Sequence, residues 1–199
     1  MLLKLFRKGE QKPKVKAINF KDVGKEVEKR KIEQLEKFKN FAKEPLRKLQ
    51  HQRAEILKVL KQLKESEVSE EIHPGLYRAS IEARRLLVEK TTRVLEEVKI
   101  GELKALDDII ALKERLERIS TQTAHAILAH GKRPSIVFGR EMRALKTAII
   151  EFQQTVNEIT KKIEEMSPVI EQLNFLKAKT ESYRQLKIEM IEREKQLAT

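Results

Sequence analysis

The stretch Phe138–Leu173, FGREMRALKTAIIEFQQTVNEITKKIEEMSPVIEQL, decides the fold. Phe138, Leu145, Phe152, Ile159, Met166 and Leu173 recur every seven residues. Met142, Ile149, Val156, Ile163 and Ile170 form a second row between them. Two interleaved rows give an apolar period of about 3.5 residues, the coiled-coil repeat. Leu176, Tyr183, Met190 and Leu197 carry a row on toward the end of the chain.

The same pattern extends backward. Leu35, Ala42, Leu49, Ile56 and Leu63 form a row, with Ile32, Leu46 and Leu60 as a partly broken second one. In the middle, Thr91, Val98, Ala105, Leu112, Ile119 and Ala126 form a row. Its companion is Leu87 and Val94 before Gly101, then Ile109 and Leu116 after it, so that row slips by one residue at the glycine. Punctuation is sparse: Pro13 and Gly24 near the start, His73-Pro74-Gly75, and Gly131-Lys132-Arg133-Pro134-Ser135. These marks predict an all-α chain of three long helices, about 21–70, 75–129 and 137–198. Short turns would pack them as an up-down-up antiparallel bundle. Residues 1–20 form a separate basic leader.

Pro45, Gly101 and Pro168 lie near the midpoints of the three segments. Proline inside a helix removes a hydrogen bond and clashes with the previous turn. The rows run through both prolines, so the expectation is three kinks at one level, giving a bent rod. Helix ends at these residues are the competing possibility; Ser167-Pro168 could cap a new helix. Thin helices this long leave apolar residues outside their main rows, and a two-fold homodimer is the expected cover.

Of 199 residues, 43 are Lys or Arg and 31 Asp or Glu, for a net charge of +12. Residues 1–70 hold 20 basic and 11 acidic side chains, and residues 1–21 alone hold seven basic ones against Glu10. On a helix, Leu2, Leu3, Leu5 and Phe6 gather opposite Lys4, Arg7 and Lys8, with Lys12, Lys14 and Lys16 following. A short apolar wedge beside a polybasic stretch suits two-signal attachment to an anionic membrane. An arm packed on the bundle end, or one that binds nucleic acid, remains open. The second turn adds Lys132, Arg133 and Arg140 as contact candidates, beside Ile136 and Phe138. In an up-down-up bundle that turn shares an end with the leader.

Chemistry is sparse. The absence of Cys removes disulfides, thiolate metal sites and thiol catalysis, and is compatible with a reducing cytoplasm. No Gly-rich phosphate loop, His-Glu-x-x-His motif or serine elbow occurs. Glu70 and His73 have Glu-x-x-His spacing, but a helical di-iron site needs two such pairs and two further Glu. The expectation is a protein that is not an enzyme, with no catalytic, cofactor or metal residues and no small-molecule substrate.

The long helices, mid-helix Pro45, Gly101 and Pro168, the basic Lys132-Arg133 turn and the amphipathic leader together resemble the BAR-domain proteins. The resemblance is architectural and spans the chain. It implies a dimer of kinked three-helix coiled coils that binds curved anionic membranes through Lys and Arg, cytoplasmic and peripheral to the membrane. The ESCRT-III-like proteins also join an apolar basic leader to a helical hairpin, but their acidic C-terminal part has no counterpart here. A structural or adaptor coiled coil, whose basic N-terminal region binds nucleic acid or an acidic protein partner, is the alternative.

Overall fold

A computed structural model describes residues 22–67, 72–97 and 101–197, and these are helical apart from short connections. The elements are α1 (Val23–Glu65), α2 (Pro74–Glu96), α3 (Leu106–His130), the short α4 (Lys132–Val137) and α5 (Gly139–Leu197).

The seam of α5 is buried throughout the stretch that decided the fold: each member of both rows, from Phe138 to Leu173, lies in the core. Burying such a stripe, rather than helix propensity, is what holds long helices together. α1 buries its seven-residue row as well. Its second row, however, is Val27, Phe38, Pro45, Gln52 and Leu60; Leu46 is only half-buried and Ile32 is exposed.

The middle segment differs from the expectation of one kinked helix. Among the described residues it holds two helices, so four long helices and a short one stand where three were expected. α2 stops at Glu96, and Gly101–Lys104 have no helical structure. Gly101 is therefore not a kink within a continuous helix. The backbone restarts at α3 because the Asp108 carboxylate accepts the N–H groups of Lys104 and Ala105 at 2.7 and 2.8 Å. Those bonds to the charged form hold Asp108 below the usual carboxylate range.

Cross-helix contacts give the directions. Glu28 meets Lys177 at 3.1 Å, and Phe41 lies under the Lys162 ammonium at 5.8 Å, so partner numbers fall along α5 as they rise along α1. Arg53 reaches the Leu95 carbonyl and Arg84 that of Leu63, pairing α1 with α2 in the same descending sense. Lys90 with His130 pairs α2 with α3, and Lys113 with Glu164 and Asp107 with Asn174 pair α3 with α5. Both turns consequently lie at the end where α1 finishes.

The second turn and the start of α1 thus do not share an end: α1, 43 residues long, separates Val23 from that corner by about 65 Å at 1.5 Å per residue. Nor do the prolines share a level. Both lie inside continuous helices. Pro45 is one turn past Phe41, whereas Pro168 is on the other side of Lys162, which faces Phe41. The two are offset along the bundle by about 15 Å.

Candidate polyanion interface

The leader candidates Leu2, Leu3, Lys4, Leu5, Phe6, Arg7, Lys8, Lys12, Lys14 and Lys16 lie outside the described residues. Lys132, Arg133 and Arg140 are described and exposed, at the α3–α4–α5 corner.

That corner is built from the backbone up. Gly131 has φ −82° and ψ −20°, so the chain stays close to helical as it leaves α3. The Gly131 N–H donates to the Ile127 carbonyl at 2.8 Å and the Ser135 N–H to the Gly131 carbonyl at 3.1 Å. A side chain at 131 is disfavoured because its Cβ would lie 2.5 Å from the Ile127 carbonyl oxygen, which would have to shift. Pro134 falls in the first turn of α4, where its missing N–H costs nothing, and it is buried. What reads from sequence as a turn is thus a six-residue helix that follows α3 after Gly131. Phe138 ends it and fills the core beneath.

Arg84 of α2 fastens the corner. Its guanidinium donates to the Leu63 and Ser66 carbonyls at 3.2 and 2.7 Å, the open carbonyls at the C-terminus of α1. The same group stands 4.4 Å from the centroid of the Phe138 ring. Burial pulls its pKa below the usual arginine value. Ser80 adds a bond from its hydroxyl to the Arg133 carbonyl at 3.2 Å.

On the outer side, Leu128, Lys132 and Ile136 follow one another at four-residue spacing, which places them on one face. Leu128 is 81% exposed and Ile136 61%. Leu128 shares with Glu82, Leu86, His130, Lys132 and Arg133 a groove of about 490 Å³. A second groove, of about 510 Å³, runs between α2 and α3 and includes Lys90, Arg93 and His125. His130 stands between the two grooves. Its Nε2 lies 3.0 Å from the Lys90 ammonium, whose hydrogen bond a neutral imidazole accepts. Burial first, then the Lys90 and His125 charges, hold its pKa below the ordinary 6.5.

The site therefore joins cations to exposed hydrocarbon. Sequence reading located Lys132, Arg133 and Arg140 but missed Lys90, Arg93 and the apolar partner Leu128. The available signal was that Leu128 falls outside the main row of its segment. Among the described residues no cluster of three or more His, Asp or Glu could hold a metal, and no helix is long and apolar enough to cross a membrane. No protein-family model, curated protein or solved structure matches the chain.

Proposed function

We propose that this chain is a non-enzymatic helical scaffold, an antiparallel bundle that dimerises and attaches peripherally to anionic membranes on the cytoplasmic side. The observation that carries the reading is the α3–α4 face: Leu128 and Ile136, both exposed, flank Lys132, with Arg133 and Arg140 close by. Apolar side chains of that size can enter the headgroup boundary while the cations meet lipid phosphates. A nucleic-acid surface would have no use for the exposed Leu and Ile. The leader cations would form a second attachment. Of the features behind the BAR resemblance, the long helices through Pro45 and Pro168 are present and the kinked middle helix is not. Curvature preference rests on that resemblance alone.

Co-sedimentation with anionic and neutral vesicles tests the reading, with duplex DNA run beside them. Each Lys or Arg near an anionic surface contributes about 1 kcal/mol. The triple variant Lys132→Glu/Arg133→Glu/Arg140→Glu should therefore bind anionic vesicles about 100-fold more weakly, or worse because the charge is reversed. Leu128→Ser/Ile136→Ser should weaken vesicle binding and leave any DNA binding intact. Deletion of residues 1–20 measures the leader's share. Equal binding to neutral and anionic vesicles, or none to either, would sink the proposal.

A further inference from the structure

Arg85 on α2 holds Glu82 at 2.7 Å and Glu89 at 3.4 Å, and Lys113 on α3 holds Glu164 at 3.0 Å. Each of these cations stands beside carboxylates. The groove between α2 and α3 differs. Lys90 and Arg93 line it, three residues apart on α2 and so on one face. Among the described residues neither has a carboxylate partner. Glu89, next to Lys90 in sequence, is taken up by Arg85. Glu97 lines the groove one turn past Arg93, on the side away from His130.

α3 brings two imidazoles to the same place. His130 Nε2 stands 3.0 Å from Lys90 Nζ, and His125, five residues back, lines the groove with Arg93. Val94, half-buried, and Ala126, buried, form an apolar floor to a space of about 510 Å³. An ammonium has three protons to donate, and Lys90 directs one of them at a neutral ring rather than an anion. Like charges gathered without a counter-charge repel, and an anion set among them removes that repulsion. His130 registers the excess: after burial, the Lys90 and His125 charges are what hold its pKa down.

We propose that this groove binds a phosphomonoester, held by Lys90 and Arg93 from α2 and by His125 and His130 from α3. A monoester carries a charge of about −1.5 to −2 and three terminal oxygens, enough to serve several cationic donors at once. A diester or a carboxylate brings one charge and two oxygens. Arg93 offers a planar fork that matches two phosphate oxygens, and Lys90 adds a point charge with protons to spare. Once the anion offsets the Lys90 charge, His130 takes up a proton more readily and donates as well. The same chemistry belongs to a free phosphate and to a lipid headgroup such as phosphatidate. The site does not depend on the membrane reading above, because it can be filled in the absence of lipid.

Imidazole NMR of the full chain, titrated with inorganic phosphate near neutral pH, tests this. The chain has four histidines, and His51 and His73 lie outside the groove. The His125 and His130 signals should move saturably and further than those of His51 and His73, and the pKa of His130 should rise. Lys90→Met/Arg93→Met removes two charged donors and should weaken phosphate binding at least about tenfold. Lys29→Met/Lys37→Met, the same loss of charge at exposed positions of α1, should leave it unchanged. Vesicles containing phosphatidate, matched in surface charge to others containing phosphatidylglycerol, identify the source. Tighter binding to phosphatidate, lost in Lys90→Met/Arg93→Met, supports the site with a lipid headgroup as ligand. Equal binding to both vesicles, or to neither, with phosphate still bound at the two histidines, supports it with a free phosphate as ligand. No shift at His125 and His130, a shift shared equally by all four rings, or undiminished phosphate binding in Lys90→Met/Arg93→Met overturns the site, whatever the vesicles do.

Discussion

Replacing Arg84 with methionine should loosen the turn end of the bundle. Methionine keeps an unbranched stem of similar reach, so little packing volume is lost. What goes is two hydrogen bonds from a charged donor, at 3.2 and 2.7 Å, and the guanidinium 4.4 Å from the Phe138 ring centroid. A bond to a charged group contributes about 1.5–3 kcal/mol, and a cation over an aromatic face about 0.5–1 kcal/mol or more when desolvated. Solvent reaches part of this side chain, which favours the lower figures. The sum at those lower figures is about 3.5 kcal/mol, with the Leu63 and Ser66 carbonyls left to find water. For a chain of this size that corresponds to a fall in Tm of about 7–14 °C. Urea unfolding followed by circular dichroism measures it, with Arg84→Lys as control. Lysine keeps the charge but cannot offer the planar fork, so it should recover only part of the loss. A change below about 0.5 kcal/mol in Arg84→Met, the range of ordinary surface substitutions, would refute the assignment of Arg84 as the fastener of this corner.

Three further outcomes follow from the same geometry. Thr91 is fully buried with no hydrogen-bond partner for its hydroxyl, so Thr91→Val should raise stability by about 1 kcal/mol in the same unfolding assay. Gly131→Ala must push the Ile127 carbonyl away from a Cβ 2.5 Å distant; a loss of about 1–3 kcal/mol is expected, and hydrogen exchange should quicken through α4. His130 has a folded-state pKa below its ordinary value of 6.5, so the unfolded chain binds the proton more readily. Its contribution is complete above pH 6.5 and is lost as pH falls through the depressed folded value. Comparing urea midpoints across that range, His130→Gln should flatten the dependence.

The seam of α5 was legible because nearly every member is a large aliphatic or aromatic residue in strict repeat. The second row of α1 was not. Pro45 and Gln52 occupy buried positions there, so a pattern of hydrophobic letters assigns that role to Ile32 and Leu46 instead. The break in the middle segment left a visible trace in the one-residue slip at Gly101. A slip suits a bend and a reversal equally well. What decides between them is the Asp108 carboxylate restarting the chain as α3, and long-range packing between α2 and α3. At the candidate interface, Lys132, Arg133 and Arg140 stand out by charge and proximity to a turn. Lys90 joins His130 only because α2 folds back beside α3, a neighbourhood that exists only in three dimensions.

The pairing of α1 with α5 also bears on how the chain is made. Glu28 waits for Lys177, about 150 residues further along the chain. At a synthesis rate of about 5–20 residues per second, α1 therefore leaves the ribosome about 7–30 s before its main partner exists. In that interval, among the described elements, Leu35, Phe38, Leu49 and Ile56 have α2 and α3 to shelter against. The α2–α3 hairpin, local in sequence, can form at once and cover part of that stripe. A nascent chain halted before α5 would expose the rest, and that is the stage at which a chaperone would be needed.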